Sequence, residues 1–165
     1  NNTLRQLLQT SGQRGSAPRP DASFIFVIAQ PLAGRLIRSQ LRYNYAASLP
    51  VYATSDIYEP AGAANLDLEG VLFPAMPWIL DGDGPHAAAR EAATRALGNR
   101  QGGPGRLYAF GYDAYRIAMD LNRLQGRGPT TLPGQTGRLG IDSDGRVRRE
   151  LRWAQISEGR IAPLP

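Results

Sequence analysis

Apolar residues occur in short blocks from residue 24 onward, and the length and spacing of these blocks predict alternating strands and helices. The first block, SFIFVIAQ at residues 23–30, is short and rich in β-branched and aromatic residues, which favours a strand buried on both faces. The second block begins at Pro31, a residue typical of a first helical turn. Leu36, Ile37, Leu41 and Tyr45 then share one side, and Arg35, Arg38 and Arg42 line a predicted solvent-facing side. With a further strand in LPVYATSDIY, this order predicts a βαβ unit of a parallel sheet.

The same pattern continues to residue 126 and then changes. LEGVLF predicts a third strand, and residues 84–98 predict an alanine-rich helix with Pro85 in its first turn and Gly98 as its C-cap. After a loop at residues 99–105, a longer helix is predicted from its apolar stripe, formed by Leu107, Phe110, Ala114, Ile117, Leu121 and Leu124. The tail from residue 136 predicts short antiparallel strands around DSDG and SEG turns.

Residues 1–23 have a different character from the rest of the chain. A short helix is predicted from Leu4, Leu7 and Leu8, and a polar linker rich in glycine, proline and serine follows it. We therefore expect a helix and linker at 1–23, belonging to the preceding part of a larger protein, and a folded portion at 24–165.

The amino-acid composition excludes several classes of function and does not by itself indicate one. The chain has 165 residues, 42% of them hydrophobic, which suits a globular domain with a real core. All 19 basic residues are arginine and the net charge is +5, but the arginines are scattered and no nucleic-acid-binding motif surrounds them, so no nucleic-acid partner is expected. The absence of cysteine excludes disulfides and thiolate chemistry. No apolar run is long enough to predict a membrane-spanning helix.

Candidate catalytic and metal-binding motifs fail on required positions. His86 is the only histidine and has no nucleophile elbow to serve. The DGDGPH stretch lacks the glycine and the glutamate of a calcium loop, and its two aspartates conflict with phosphate binding. Asp56, Glu59 and Asp67 show no partnered arrangement for hydrolysis. We therefore expect no enzyme activity, no metal and no cofactor, which favours a binding or regulatory module.

Several segments, taken together and in order, resemble a known family. LPVYATS, the EGV and MPW pieces of residues 69–78, GYDAYR and the tail from residue 136 are similar to the C-terminal part of the penicillin-binding-protein activator lipoproteins, the LppC/LpoA family. The resemblance extends from about Phe24 to Arg160. More broadly, GYDAYRIAMDL followed by TGRLGIDSDGRV resembles the closing half of type I periplasmic solute-binding proteins.

The resemblance implies an α/β fold: a partial type I periplasmic-binding-protein-like fold, with a parallel βαβ core and a C-terminal antiparallel hairpin. It implies a non-catalytic periplasmic regulator that binds and stimulates a class A (bifunctional) penicillin-binding protein, anchored to the outer membrane by a lipid that this chain does not carry. Such activation needs only that the regulator bind one conformation of the synthase better than another. The alternative is a module that holds a small solute, not identified, in a cleft between two lobes.

Candidate site residues follow from the fold, because ligands of open α/β sheets lie beyond the carboxyl ends of the strands. The positions there, as cleft or hinge residues, are Gln30, Ser55, Asp56, Tyr58, Met76 and Trp78. In the stretch PAMPW, Pro74 and Pro77 each lack a backbone donor, so we expect the ladder to end there and the chain to cross between lobes. Tyr112 and Asp113 are expected to be structural residues, Asp113 near a helix start where the dipole favours it.

Overall fold

A computed structural model describes residues 21–44, 46–60, 62–80, 87–98, 103–124 and 131–164. Chain contacts divide these residues into two compact units. The first comprises the chain up to Phe73 together with Ala154–Ala162, and the second comprises Pro74–Trp153 and Pro163–Pro165. The boundary at Phe73 and Pro74 lies at the stretch for which a crossing is predicted.

The first unit is built on three parallel strands. They are β1 (Ile25–Val27), β2 (Val51–Ala53) and β3 (Leu72–Ala75), with helix α1 (Pro31–Tyr43) between β1 and β2. Residue pairs Ile25 with Val51 and Tyr52 with Leu72 define the parallel register. Two 3₁₀ segments, Ser55–Ile57 and Gly62–Leu68, connect β2 to β3. The βαβ prediction is therefore confirmed.

The second unit contains the four other described α-helices and a separate small sheet. The helices are α2 (Pro77–Leu80), α3 (Ala87–Leu97), α4 (Gly103–Met119) and α5 (Leu121–Leu124). The antiparallel sheet has the order β4 (Leu132–Pro133), β5 (Arg138–Ile141) and β6 (Val147–Glu150). Its buried cluster consists of Leu124, Leu132 and Leu139, packed with Ile117 and Ile141.

The chain ends in a hairpin that completes the larger sheet. Strands β7 (Arg152–Ser157) and β8 (Arg160–Pro163) extend the sheet to the order β1-β2-β3-β7-β8. Gly70 donates to the Ile156 carbonyl at 2.9 Å, and Ile156 donates to the Val71 carbonyl at 3.0 Å. Gly70 and Val71 together oppose the single residue Ile156, and Gly70 has a φ of 79°. This pairing is a G1 β-bulge. The mixed α/β architecture with an antiparallel tail agrees with the prediction.

The prediction that the first strand is buried on both faces is wrong for the described residues. Val27 is buried, but Phe24, Phe26 and Ile28 are 59%, 56% and 78% exposed. These three alternate with Val27, so they lie on the opposite face of β1. β1 is also the terminal strand of the described sheet, and no described helix covers that face.

The predicted long helix is confirmed as α4 and α5, but most of the apolar stripe from which it is predicted is exposed. Leu107 and Phe110 are more than half exposed and Ala114 is exposed, whereas Ala109 and Asp113 are buried. Only the end of the stripe, Ile117 and Leu124, packs in the core of the second unit. The buried side of α4 is selected by hydrogen bonds to Asp113, described below.

Other expectations meet mixed outcomes. The alanine-rich helix and its C-cap are confirmed, with Gly98 at a φ of 70°. β3 continues past Pro74 to Ala75, so the strand itself does not end at Pro74 as expected. Pairing with β2 ends at Leu72, so the missing N–H of Pro74 costs that ladder nothing. The predicted N-terminal helix and linker, the side chain of Tyr45 and the DGDGPH stretch with His86 lie outside the described residues, as does most of the predicted loop at 99–105.

Candidate functional site

Two candidate positions follow the ends of adjacent parallel strands in the first unit. Gln30 is exposed and occupies the N-cap of α1, where its carbonyl accepts a hydrogen bond from the Gly34 N–H at 2.8 Å. Its side chain makes no capping bond. Ser55 and Asp56 form the short 3₁₀ turn after β2, and Asp56 is exposed. Polar side chains therefore follow both strands, and their role as ligand contacts stays a prediction.

Tyr58 packs through its ring. The ring stacks on Phe73 with centroids 5.8 Å apart and an interplanar angle of 16°. Phe73 is fully buried and Tyr58 is half-buried, and this burial raises the pKa of the Tyr58 phenol. The neutral phenol is thus favoured, and the ring helps to close the core beneath the loop.

Helix α1 lies very close to this loop because of one glycine. A Cβ added at Gly34 would lie 2.7 Å from Cγ1 and 2.9 Å from Cδ1 of Ile57. Ile57 is itself almost completely buried. Because Gly34 has no side chain, the Ser55–Ile57 turn can pack directly against the start of α1.

The arginine stripe of α1 is not simply a solvent-facing surface, contrary to the prediction. Arg35 forms an ion pair with Glu59 at 3.5 Å, and Arg38 donates through Nη2 to the Glu69 carbonyl at 3.3 Å. Burial, reinforced by neighbouring Arg42, lowers the pKa of Arg38. Arg42 alone is exposed as predicted. Two arginines thus fasten the helix to the connections before β3.

Asn65 was missed by sequence reasoning. Its side chain is fully buried, and its Nδ2 donates to the Glu59 carbonyl at 2.6 Å and to the Gly159 carbonyl at 3.5 Å. It joins the loop before β3 to the β7–β8 turn. Nothing in the local pattern AANLD indicates this role, because the partner carbonyl at Gly159 is 94 residues away.

Met76 and Trp78 lie at the start of the second unit. The Met76 carbonyl accepts hydrogen bonds from Ile79 at 2.9 Å and Leu80 at 3.2 Å, so it begins the short helix α2. Trp78 donates its backbone N–H to the Gln135 carbonyl at 2.8 Å, and its own carbonyl accepts from Arg90 at 3.0 Å. Its indole also lies 5.8 Å from the ring of Tyr108, centroid to centroid. Trp78 is thus held on several sides within this unit.

Asp113 organises the loop before β5. Its Oδ1 accepts the Gln135 N–H at 2.8 Å, and its Oδ2 accepts the N–H and the hydroxyl of Thr136, both at 2.7 Å. All three residues are buried. Asp113 is not near a helix start as expected, because α4 begins at Gly103 and includes the glycine–proline run that was predicted to be a loop. Tyr112, beside it, is 36% exposed.

The loop that Asp113 holds has no room for side chains at its glycines. A Cβ at Gly134 would lie 2.7 Å from Oδ2 of Asp113, and one at Gly137 would collide with the Glu150 carbonyl oxygen. Arg116, one turn after Asp113, donates to the Pro133 carbonyl at 3.0 Å. The GQTG segment is thus a tight connection that α4 holds in place. The Asp113 carboxylate binds the segment itself, and the Arg116 guanidinium binds the carbonyl of the preceding residue, Pro133.

Two further expectations concern a metal site and a membrane-spanning helix among the described residues. No group of three or more metal-ligating side chains occurs among its residues. None of the helices in the described ranges combines the length and the apolar character needed to cross a bilayer.

Comparison with known proteins decides the family. The sequence profile described as LppC putative lipoprotein matches residues 2–159. The chain belongs to this family. A relative from Photobacterium profundum, "Penicillin-binding protein activator LpoA", is 29% identical over 163 residues, and its namesake from Erwinia tasmaniensis is 31% identical over 157 residues. These matches cover 97% and 92% of this chain but only 26% and 22% of the relatives.

Solved structures of the LppC family have the same fold. The "LpoA (YraM) C-domain from Haemophilus influenzae, a regulator of PBP1A" matches with a TM-score of 0.72 and 26% identity, over 89% of this chain and 46% of that chain. A periplasmic-binding-protein-like neighbour, a putative branched-chain amino acid ABC transporter from Rhodospirillum rubrum, has a TM-score of 0.67 and 21% identity, over 86% of this chain and 44% of that one. The latter likeness concerns the fold alone. The chain thus spans about a quarter of its curated relatives and just under half of the solved C-domain.

Proposed function

We propose that this chain is part of a non-catalytic periplasmic regulator that binds and stimulates a class A penicillin-binding protein in peptidoglycan synthesis. The observation that carries the proposal is the match of 97% of the chain to a relative named as such an activator. The fold is consistent with it, because a regulator needs a surface that favours one state of its partner and requires no catalytic group.

The proposal extends to the setting of the protein. Residues 24–165 form the C-terminal portion of a periplasmic-binding-protein-like domain, and residues 1–23 connect it to the preceding part of the protein. The family description as a lipoprotein supports a lipid anchor in the outer membrane. The mass of the mature N-terminus of the full-length protein, with or without an acyl group, tests the anchor.

The central experiment measures binding and activation together. The full-length protein is immobilised and a purified class A synthase is passed over it, while glycan cross-linking by the synthase is assayed with and without the protein. We expect specific binding and a higher cross-linking rate. A synthase that neither binds nor responds contradicts the proposal.

A second candidate function is the binding of a small solute. It is favoured by structural neighbours such as a putative branched-chain amino acid ABC transporter from Chromobacterium violaceum, with 27% identity and a TM-score of 0.56. The candidate contacts are Gln30, Ser55, Asp56, Tyr58, Met76 and Trp78. A thermal-shift screen with amino acids, sugars and muropeptides tests it, since a ligand at 100 times its dissociation constant stabilises by about 2.7 kcal/mol.

A further inference from the structure

The second unit contains a groove that none of the candidate cleft residues lines. One of its lining residues, Pro77, directly precedes Trp78 in the sequence. Its volume is about 530 Å³. Three apolar residues, Pro77, Pro133 and Leu151, line it together with three charged residues, Arg138, Glu150 and Arg152. A volume of this order lies within the range of pockets that accept small ligands.

The residues that line the groove are connected by backbone pairing and hydrogen bonds. The β5–β6 ladder joins Arg138 to Glu150 at its end, and Gly134 and Gly137 of the GQTG loop also line the groove. That loop is held by the buried carboxylate of Asp113 through three hydrogen bonds. A preformed groove loses little freedom on binding, which favours affinity for an extended segment.

The charge of the second unit is strongly unbalanced. Its described residues include ten arginines against six carboxylates, and one of the six is the buried Asp113. The described residues of the first unit have four arginines against six carboxylates. The positive charge is thus concentrated on the unit that contains the groove, and charge complementarity favours an acidic partner there.

The guanidinium of Arg138 can exchange its present partner for a ligand. Its Nε lies 3.9 Å from Oε2 of Glu150, and the two side chains are 68% and 76% exposed. Such a long, exposed ion pair contributes little stability, so replacing Glu150 by a carboxylate of a partner costs little. Arginine presents a planar fork that matches a carboxylate geometrically, which adds direction to the attraction.

We propose that this groove binds an extended acidic segment of the synthase, with partner carboxylates on Arg138 and Arg152 and partner apolar groups on the proline and leucine floor. This assignment rests on the proposed function and locates its contact surface. A lipid head-group surface fits less well, because the groove is concave and a bilayer surface cannot enter it.

The test compares two charge reversals of equal size in the full-length protein. Arg138→Glu with Arg152→Glu changes the groove, and Arg95→Glu with Arg123→Glu changes exposed arginines elsewhere on the same unit. Synthase affinity is measured at two salt concentrations, and a neutral pair, Arg138→Gln with Arg152→Gln, separates loss of attraction from added repulsion. Circular dichroism and thermal unfolding verify that each variant is folded.

We expect the groove reversal to weaken synthase binding by at least about tenfold and to reduce its salt dependence, with a smaller loss for the neutral pair and less than twofold for the control. Equal losses in the groove and control variants overturn the groove assignment while the proposed function stands. Binding to anionic phospholipid vesicles is measured in parallel, and a groove reversal that loses vesicle binding without losing synthase binding overturns the assignment in favour of a lipid surface. No binding by the unchanged protein overturns the proposed function and, with it, the synthase as occupant.

Discussion

Replacement of Asp113 tests the account of how α4 and the GQTG loop are held together. The carboxylate is 2% exposed and accepts three hydrogen bonds of 2.7–2.8 Å. In Asp113→Asn an amide nitrogen, which is a donor, replaces one of the two acceptor oxygens. In one orientation of the amide it faces the Thr136 N–H, and in the other it faces the Gln135 N–H, so one of these two donors loses its acceptor. Hydrogen bonds to charged groups are worth about 1.5–3 kcal/mol each, and relief of the buried charge offsets part of the loss. We expect a destabilisation of about 2 kcal/mol.

Asp113→Ala removes both acceptor oxygens and leaves the loop donors buried, so we expect a larger loss of about 4 kcal/mol. Urea unfolding followed by tryptophan fluorescence is a suitable assay, because Trp78 and Trp153 both belong to the second unit. Hydrogen exchange of the Gln135 and Thr136 amides gives a local measurement, and both amides should lose protection.

Asp120→Ala is the matched control for this experiment. Asp120 follows the same helix and pairs with Arg123 at 3.0 Å on the exposed surface. Such a pair contributes about 0.3–0.5 kcal/mol. If Asp113→Asn unfolds at the same urea concentration as Asp120→Ala, or the loop amides stay protected, the assigned role of Asp113 is refuted.

Three further predictions concern other parts of the fold. Gly34→Ala should destabilise the fold by about 1–3 kcal/mol, because its Cβ would press on Ile57. Gly111→Ala, which has open space around it, should stabilise the fold by about 0.5–1 kcal/mol. Denaturant midpoints of the two variants that shift in the same direction contradict this prediction. Glu158→Asn should stabilise by about 0.5–1 kcal/mol, since Glu158 has a φ of 52° in a two-residue turn that favours Asn-Gly, and calorimetry measures it. Hydrogen bonds lower the pKa of the Asp142 carboxyl, and the largest effect comes from the backbone N–H of Arg146. The stability that Asp142 contributes is therefore present above the unfolded pKa of about 3.9 and is lost as the pH falls through the folded pKa. Asp142→Asn should therefore abolish the fall in hairpin amide protection factors, corrected for the intrinsic pH dependence of exchange, in that acid range. An unchanged fall argues against the assignment.

The types of the secondary-structure elements and their order could be predicted from the sequence. Block length distinguishes the β1 strand from the helices, Pro31 begins α1, and the DSDG and SEG turns separate the strands of the tail. These signals are local, because φ preferences, capping and turn geometry depend on neighbouring residues. The conjunction of several such segments was also sufficient to indicate the family.

Which face of each element is buried depended on the tertiary structure. Helical periodicity shows Leu107 and Phe110 on one stripe, yet the described fold buries the side with Ala109 and Asp113, because backbone donors 22 and 23 residues away satisfy that carboxylate. Likewise, Asn65 acquires its role only when the β7–β8 turn is brought beside it. A pattern along the chain reports what a residue can do, and its role is set by the partners that folding brings from distant positions.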